Sequence, residues 1–571
     1  MQNDITQISV SLDGNKIDPG ISIQTITIEK AANEFSTADL VLLLDAGEDA
    51  FGGTEIDDFS VGKSIEIKEE SSSPPGRLFK GLISGQRIQI LDGNVPALSL
   101  SCIDTFSKLN QEKKTRLFSD MKESEAIEKI LSDNGINHTI EASEEQQIEI
   151  FQYQLSDWEM ILRLAAKNAM FVFSGDNKLK VSSPQLGTTP SMEITYGKSI
   201  LDMDIAQDTD HQYLISQPLS PPSNQGKASV SKNDATDLVK GKLSERSGLG
   251  KFDKGLSSSS KTTASRKNIQ VKEEEMAQLK GRICINGTSK ISPGDMLSLK
   301  GLGKMYSGKA FLQGVEHRIE EGTWISYLTV GMPDHWQEMP GSKTVSPSMN
   351  GLQRARVRKL ENDPAGAYRI NVQLPGMEEN EGLWAKLSQF AASNNSGAFF
   401  LPEIGDEVVI GFEEASEVSP IVVGMLYNQK HSPPLAYSDK NPVKQLKTRS
   451  GHSLTFDDGE QSIEIKTSDG KRIFLNSDRI LLEDDKKNKV SIDSSAGIIL
   501  DSKSDIKLKA AGNINLDAKS NISLKANANV NVQGLNVSHK ANAQFSASGN
   551  AGAELKTSAI AIIQGSLVKI N

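Results

Sequence analysis

The chain has 571 residues, too many for one ordinary domain, and its 24 % charged and 37 % hydrophobic residues match folded rather than disordered proteins. A net charge of −11 argues against sequence-independent nucleic-acid binding, which needs a basic surface to neutralise phosphates. The two cysteines cannot form a disulfide framework, no run approaches the ~20 apolar residues of a membrane span, and no Sec-type signal is visible, so we expect assembly in the reducing cytoplasm.

Strand patterns dominate the first 200 residues. Residues 21–30 and 61–70 alternate apolar and polar side chains, as half-buried strands do. Residues 171–183 contain two such runs around Gly175-Asp176-Asn177, which predicts a hairpin. We therefore expect a sheet-rich amino-terminal region.

Two helices are predicted within this region. Residues 123–135 space their aliphatic side chains on one helical face, and Gly135 is expected to end the helix. Ser156 and Glu159 have the spacing of a capping box, in which each residue satisfies a backbone N–H of the other. A second helix is therefore predicted to begin directly after Ser156.

The middle of the chain contains a change of composition and a possible domain boundary. Residues 217–268 are rich in Ser, Lys, Gly and Pro, which predicts a loop or linker, or else a segment that docks a partner. A strand-rich block follows at 279–332, and the next boundary is expected at 339–351. Within that block residues 301–308 match no phosphate-binding motif, and a β-turn is predicted there.

Residues 351–430 contain five strand-like stretches, which suit a small closed barrel. The five-stranded oligonucleotide/oligosaccharide-binding (OB) barrel is one such architecture. Its usual ligands need a basic or aromatic face, whereas the strongest hairpin here, GDEVVIGFEEASE, is acidic. Nucleic acid is therefore an unlikely partner of the barrel.

The most informative pattern is an eight-residue repeat between residues 490 and 532. Each unit carries two aliphatic side chains two positions apart, flanked by polar residues and separated by small, turn-forming residues. The pattern predicts a short β-strand with one buried face in every unit. The predicted core side chains are Ile506, Leu508, Ile514, Leu516, Ile522, Leu524, Val530 and Val532.

One such unit cannot enclose a core, because two aliphatic side chains bury too little surface to offset the ordering of eight residues. Either one chain coils with about three units per turn as a β-helix, or three chains each supply one face of a triangular prism. Six clean units give only about two turns of a single-chain coil, which favours the trimer.

The repeat loses its phase after Gly534. It can be resumed from Val537, which places His539 at an inward position, where three symmetry-related imidazoles could hold a metal ion. The chain ends in an apolar strand whose exposed edge would be an association surface. The residues predicted to dock a partner there are Leu567, Val568, Lys569, Ile570 and Asn571.

The order of these parts resembles that of VgrG-type spike proteins, a family found in type VI secretion systems, extracellular phage-tail-like particles and fused myophage hub and spike proteins. Residues 397–434 carry the strongest match, an F-x-P-x-x-G-D-E-V run followed by a P-I-V-x-G-x-L-Y-N strand. Residues 447–458 resemble the family's entry into the spike, and residues 155–173 resemble its hub helix and following strand.

The resemblance implies a mainly β, multidomain fold with a trimeric β-prism at its carboxyl end. Residues 1–340 would form the hub, with two β-barrel subdomains, a few helices and the 217–268 linker. Residues 350–432 would form the OB barrel, 433–475 a neck and 476–571 the prism. Only 430–446 separate barrel from repeat, which leaves no room for the lysozyme domain of some phage relatives, and no toxin domain is expected after Asn571.

The resemblance also implies a function that is structural. A homotrimer would join inner tube and baseplate proteins to a PAAR-type tip protein, with effector cargo as a further partner. Sheath contraction would drive it into the target envelope, so it would contact a membrane only during piercing. The apparatus would be cell-bound or released as a particle.

Two other functions remain open from the sequence. A β-prism also serves as the stalk of a trimeric adhesin or tail fibre, although no receptor-binding head is visible. A β-helix enzyme that degrades polysaccharides would need longer coils and a groove of acids and bases, which the octads lack. The candidates for a hydrolytic carboxylate pair lie in the barrel segment instead: Glu403, Asp406 and Glu407, with Glu413 and Glu414. No zinc pair or nucleophile turn is present, and we predict no catalytic residues and no cofactor.

Overall fold

The computed structural model describes residues 8–18, 21–44, 57–71, 74–144, 146–175, 178–207, 276, 279–332, 351–412 and 419–570. The predicted linker at 217–268 lies outside these ranges. The chain divides into two compact units, Met1–Pro433 and Pro434–Asn571. Among the described residues, no helix has the length and apolar character needed to cross a membrane.

Most of the first unit is one large sheet of 13 strands. Alternating side chains along these strands point to opposite faces, so one face of each strand can be buried while the other stays polar. The strands are β1 (Ile8–Leu12), β2 (Asn15–Lys16), β3 (Ser22–Ala31), β4 (Thr37–Leu43), β5 (Ser64–Glu69), β6 (Gly76–Leu91), β7 (Val95–Ile103), β13 (Met192–Thr195), β14 (Ile200–Gln207), β15 (Leu279–Asn286), β16 (Met296–Lys300), β17 (Gly308–Glu320) and β18 (Thr323–Val330).

Two separate hydrophobic cores lie along this sheet. One is built from β1 and β3–β7 and includes Leu40, Ile67 and Leu98, while the other is built around β15–β18 and includes Ile283 and Leu328. Strand β17 links them, because it pairs with β16 at one end and with both β3 and β18 along the rest. The two cores therefore share one continuous sheet, and the division of the hub into two β-barrel subdomains stays a prediction.

The remaining elements up to Ser182 form a helical layer. They are a 3₁₀ helix (Thr105–Asn110), β8 (Lys113–Lys122), α1 (Glu123–Asp133), β9 (His138–Ile140), β10 (Gln146–Ser156), α2 (Asp157–Lys167), β11 (Phe171–Gly175) and β12 (Lys178–Ser182). The predicted hairpin is confirmed, because β11 and β12 pair antiparallel.

Both predicted helices are confirmed, together with the capping box at the start of α2 and the glycine that ends α1. In α2 the Ser156 hydroxyl accepts from Glu159 N at 3.1 Å, and the Glu159 carboxylate accepts from Ser156 N at 2.7 Å. Gly135, which follows α1, has φ +64°, a left-handed conformation that residues with a Cβ rarely adopt. The apolar faces of both helices pack into one core with Trp158.

A buried carboxylate holds this layer together. Asp157, 2 % exposed, accepts from Lys114 Nζ at 2.7 Å, from Asn134 Nδ2 at 2.9 Å and from Gln152 Nε2 at 3.2 Å, and it also pairs with Arg116. Burial alone would raise the pKa of Asp157, but the hydrogen bonds from Lys114, Asn134 and Gln152 outweigh it and hold that pKa below its usual value. The network ties β8, β10 and the adjoining ends of both helices to one point.

The predicted small barrel is confirmed. β19 (Gln353–Lys359), β20 (Arg369–Gln373), β21 (Leu383–Leu387), β25 (Pro420–Leu426) and β24 (Glu407–Phe412) close in that order. The short strands β22 (Ala392–Ser393) and β23 (Ser396–Gly397) form a hairpin between β21 and β24. Phe151 of β10 is buried in the barrel's core cluster, and the Tyr153 hydroxyl bonds Gln353 Oε1 at 3.1 Å, so the helical layer packs on the barrel.

One local prediction is wrong in detail. The 301–308 segment contains a single helical turn, α3 (Gly303–Tyr306), rather than a β-turn. The backbone N–H of Ser307 bonds the carbonyl of Gly303 at 3.2 Å, which is the i to i−4 spacing of an α-helix. The segment still connects two strands, as expected.

Acid is expected to destabilise the first unit through His317. This residue of β17 is 1 % exposed, its Nδ1 lies 2.9 Å from Ser326 Oγ, and burial, with the nearby Lys30 charge, lowers its pKa to about 3. An unfolded histidine takes up a proton near pH 6.5, whereas the buried His317 stays neutral, so acid favours the unfolded chain. The stability that the neutral imidazole contributes is complete above pH 6.5 and is lost as the pH falls toward 3. Between pH 7 and 5 we expect about 2 kcal/mol less stability.

Urea unfolding at several pH values checks this prediction. The His317→Gln variant should lose about 2 kcal/mol less than the unchanged protein between pH 7 and 5. The same substitution at His138, a half-buried residue, serves as the control. Identical pH slopes for the His317 variant and the unchanged protein would contradict the prediction.

Candidate assembly interface

The second unit begins with an antiparallel meander of seven strands. They are β26 (Val443–Lys447), β27 (Ser453–Asp457), β28 (Ser462–Lys466), β29 (Arg472–Leu475), β30 (Arg479–Glu483), β31 (Lys489–Asp493) and β32 (Gly497–Asp501). Short turns set the register. In the turn between β28 and β29, Gly470 has φ +94°, and Thr467 N donates to the Lys471 carbonyl at 2.9 Å.

One face of the meander carries two rows of directly paired apolar side chains. Because alternate residues share a face, the pairing register places both rows on the same side of the sheet. The first row is Leu446, Leu454, Ile465, Ile473, Leu482, Val490 and Leu500, and the second is Phe456, Ile463, Leu475, Ile480, Ile492 and Ile498.

The opposite face carries charged side chains around a short apolar row that includes the buried Leu481. Arg472 donates to Glu483 Oε2 at 2.8 Å and to Glu464 Oε1 at 3.3 Å, and its guanidinium lies 5.6 Å from the centre of the Phe474 ring. Arg472 thereby links three neighbouring strands on that side. The sheet is amphipathic, and the described residues of this chain do not cover its apolar face.

The apolar face is concave. A groove of about 550 Å³ lies along the first row, lined by Ile473, Leu482, Val490 and Leu500, and reaches Ile506 in the next segment. Leu500 is 53 % exposed and Val490 is 37 % exposed, so the aliphatic side chains of this row are not covered within the single chain.

The sequence predicts only part of this surface. The family resemblance implies a neck at 433–475 and a prism from residue 476, whereas the repeat begins only at Val490. The alternation of aliphatic side chains in β27–β30, interrupted by turns such as Asp469-Gly470, is the signal that extends the apolar face back to Leu446.

After β32 the chain continues as a regular extended segment, residues 502–570. The backbone bends at 503–504, 511–512, 519–520 and 527–528, which are eight residues apart and follow the predicted repeat. No strand pairing is assigned among these residues, although the sequence predicts a strand in every unit. The reason is geometric, because each unit's extended section has no neighbour in its own chain to complete a ladder.

The predicted core side chains of this segment are all exposed in the single chain. Their exposed fractions run from 53 % for Ile514 to 73 % for Leu524. The same holds for Ile506, Leu508, Leu516, Ile522, Val530 and Val532. Their assignment to a trimer core stays a prediction. Their exposure in the single chain leaves them available for contact with other copies.

The loss of phase after Gly534 is visible in the backbone. Bends at 535–536 and 542–543 are seven residues apart instead of eight. His539 lies within this shortened unit, is exposed, and has its ring centre 6.1 Å from that of Phe545. No cluster of three metal-ligating side chains occurs among the described residues of one chain, and a site shared by three chains at His539 stays a prediction.

The predicted docking residues at the end of the chain are also exposed. Leu567, Val568 and Ile570 are 76 %, 46 % and 86 % exposed, and Lys569 is exposed beside them. Asn571 lies outside the described residues. Three large aliphatic side chains within four residues form an apolar terminus, whose role in docking stays a prediction.

Two of the carboxylates considered for catalysis, those of Asp406 and Glu407, have structural partners in the barrel. Asp406 Oδ2 accepts from Glu403 N at 2.9 Å, and Asp406 Oδ1 lies 3.3 Å from His431 Nδ1. Glu407 Oε2 accepts from Asn428 Nδ2 at 2.8 Å. These contacts fix the loop that enters β24.

Two protein families match the chain. The Alg8 N-terminal domain family matches residues 2–321, more than half of the chain. The chain belongs to the Alg8 N-terminal domain family. The type VI secretion system/phage-baseplate injector OB domain matches residues 353–427, which contain the closed barrel.

Curated relatives are spike proteins. Over 176 residues the chain is 26 % identical to type VI secretion system spike protein VgrG1c of Pseudomonas aeruginosa, covering 28 % of this chain and 23 % of that protein. Over 151 residues it is 25 % identical to spike protein VgrG3 of Vibrio cholerae, covering 24 % and 14 %. The chain thus spans less than a quarter of the length of these relatives. With the OB-domain match, they confirm the resemblance to VgrG-type spike proteins.

A solved structure has a similar fold over most of the chain. The Francisella PdpA–VgrG complex, in its lidded form, aligns with 88 % of this chain and 81 % of its own, with a TM-score of 0.51 and 11 % identity. At that identity the likeness concerns the fold alone.

Proposed function

We propose that three copies of this chain form the hub and spike of a contractile injection apparatus. The first unit would be the hub and the barrel, and the second unit would intertwine with two other copies as a rigid shaft. The observation that carries the proposal is the second unit's apolar surface, which begins at Leu446 and continues through the exposed repeat to Ile570. The VgrG-type relatives support the same assignment.

The trimer explains why this surface is not covered within one chain. The aliphatic side chains of the units from Ile506 to Val532, each more than half exposed, would make an isolated chain aggregate. Burying them against two other copies stabilises the shaft and supplies the ladder partners that residues 502–570 lack in their own chain. Because these bonds break together, the shaft resists a load along its axis.

Force would be transmitted as follows. Sheath contraction drives the inner tube, the tube pushes the hub, and the narrow shaft concentrates the force at a capped tip. Tube and baseplate proteins would contact the hub, and effector cargo would travel with it. Assembly would take place in the cytoplasm, and membrane contact would occur only during piercing.

The proposed role is mechanical rather than enzymatic. Glu403, Asp406 and Glu407 lie at the entry to β24, where their contacts support a role in loop geometry. Purified protein should not cleave polysaccharides, and any turnover that disappears in Glu403→Gln or Asp406→Asn would contradict this.

The mass of the purified full chain in solution tests the proposal. Light scattering should give roughly 186 kDa, three times the 61.9 kDa of one chain. Electron microscopy of the same sample should reveal a ring with a needle. A folded monomer would contradict the proposed function.

Removing residues 565–571 is expected to abolish capture of a PAAR-type tip protein while leaving the trimer intact. The deletion removes three exposed aliphatic side chains, whereas the repeat from Ile506 to Val532 remains. Co-purification with the tip protein and light scattering measure the two effects. The control is Lys556→Ala, because Lys556 is an exposed residue upstream of the deletion. A truncated trimer that still captures the tip protein would contradict the docking assignment.

A further inference from the structure

The barrel carries a second exposed apolar surface, separate from the repeat. It is the loop between β21 and β24, and we call its large apolar side chains the barrel patch: Phe390, Phe399, Phe400, Leu401 and Ile404. Phe390 and Phe399 are 86 % and 84 % exposed, and Ile404 is 67 % exposed. Five large apolar side chains that are all exposed within one loop are uncommon on a monomeric protein.

The loop is held in a defined shape. The ring centres of Phe390 and Phe400 are 6.5 Å apart, and Gln389 Nε2 donates to the Phe400 carbonyl at 2.9 Å. The hairpin β22–β23 and the bond from Ala398 N to the Ala391 carbonyl at 2.8 Å close the base of the loop. Because the aromatic side chains are positioned in advance, little conformational entropy is lost when they bind a surface.

The area of the barrel patch limits what can cover it. At the areas typical of aromatic and aliphatic side chains, the five residues expose roughly 600 Å². A stable complex between free proteins buries about 800 Å² on each partner. The barrel patch is therefore too small to hold an independent partner alone, but large enough for a partner that another contact already holds nearby.

A second copy of this chain meets that condition. The connection from Pro434 to Val443, where the meander begins, spans at most about 30 Å when fully extended. In the proposed trimer the three meanders meet, so each barrel is tethered close to the other two. Such short tethers give effective concentrations in the millimolar range, at which a small apolar contact forms.

We propose that the barrel patch binds the barrel of a second copy of this chain and so fixes the three barrels against one another. The inference rests on the proposed trimer, but it concerns a different surface. A shaft alone would leave three barrels on flexible connections, whereas this contact makes the end next to the shaft rigid.

Photo-crosslinking in the full chain tests the inference. Phe399 is replaced by p-benzoylphenylalanine, and trimers are assembled from a mixture of ¹⁴N- and ¹⁵N-labelled chains. After irradiation, crosslinked peptides of mixed label that join position 399 to residues 351–433 are expected. Their yield should fall at least tenfold when Phe390→Ser and Phe400→Ser are added, and stay unchanged with Tyr196→Ser, a matched loss of an exposed aromatic side chain elsewhere in the unit.

The outcomes separate this inference from the proposed function. Trimers without mixed-label crosslinks at position 399, or with crosslinks only to another protein, overturn the barrel contact and leave the hub and spike in place. A chain that is monomeric by light scattering overturns both.

Discussion

Replacing Leu508 and Leu516 by aspartate is expected to convert the trimer into monomers. Both side chains are 67–69 % exposed in a single chain, so the substitutions should not unfold it. In a three-chain shaft they would place three carboxylates in each of two buried layers. Each buried, unpaired charge costs several kcal/mol, and like charges close together cost more. The trimer fraction at a fixed concentration should fall at least tenfold.

The matched control puts the same charges on the other side of the strand. Asn515→Asp and Ser523→Asp each add one charge at a position between two inward aliphatic residues, and these positions point away from the apolar row because alternate residues face opposite sides. This pair should remain a trimer by light scattering. If both pairs behave alike, the predicted inward row is wrong.

Asp157→Ala is expected to destabilise the helical layer of the first unit by about 3–5 kcal/mol. The carboxylate is 2 % exposed and accepts from Lys114 and Asn134 at 2.7 and 2.9 Å. Its loss leaves the charges of Lys114 and Arg116 without their buried partner, and these donors cannot all find replacements. Hydrogen exchange in α1 and α2 should accelerate by more than a hundredfold, the rate equivalent of about 3 kcal/mol.

The control is Asp133→Ala, at the last residue of α1 and on its exposed side. It removes an equal charge close to the same helices without touching the network, and exchange rates should hardly change. Unaltered exchange in the Asp157 variant would contradict the role given to the carboxylate.

Local signals made much of the first unit predictable. The alternation in β3 and β5, the Ser156–Glu159 capping box and the left-handed Gly135 each act within a few residues. The barrel was predictable because its five strands carry five separate apolar runs. The pairing of β17 with β3 was not, since β3 lies near the start of the chain, far from β17 in sequence, and no local pattern encodes their contact.

The second unit was predictable in a different sense. Because a repeat shows its period in the sequence itself, both the eight-residue units and the loss of phase after Gly534 were predictable. The continuity of the meander from Val443 to Asp501 was not evident, because its turns vary in length and interrupt the apolar alternation ahead of the repeat. The strand ladder of residues 502–570 is absent from the described single chain, since its partners would lie in other copies.

The seven-residue interval at 535–543 has a consequence for how such a protein can change in length. In the predicted phase, dropping one residue swaps which of two alternating side chains faces inward, from even-numbered Val532 to odd-numbered Val537. Elsewhere in the repeat, an insertion or deletion of an odd number of residues would move the aliphatic side chains of every later unit to the outer face, whereas whole octads can be added without that change. The length of the repeat region can therefore change, in evolution or by design, in steps of one whole repeat. Residues 535–543 are the place where a segment with a different phase could be inserted.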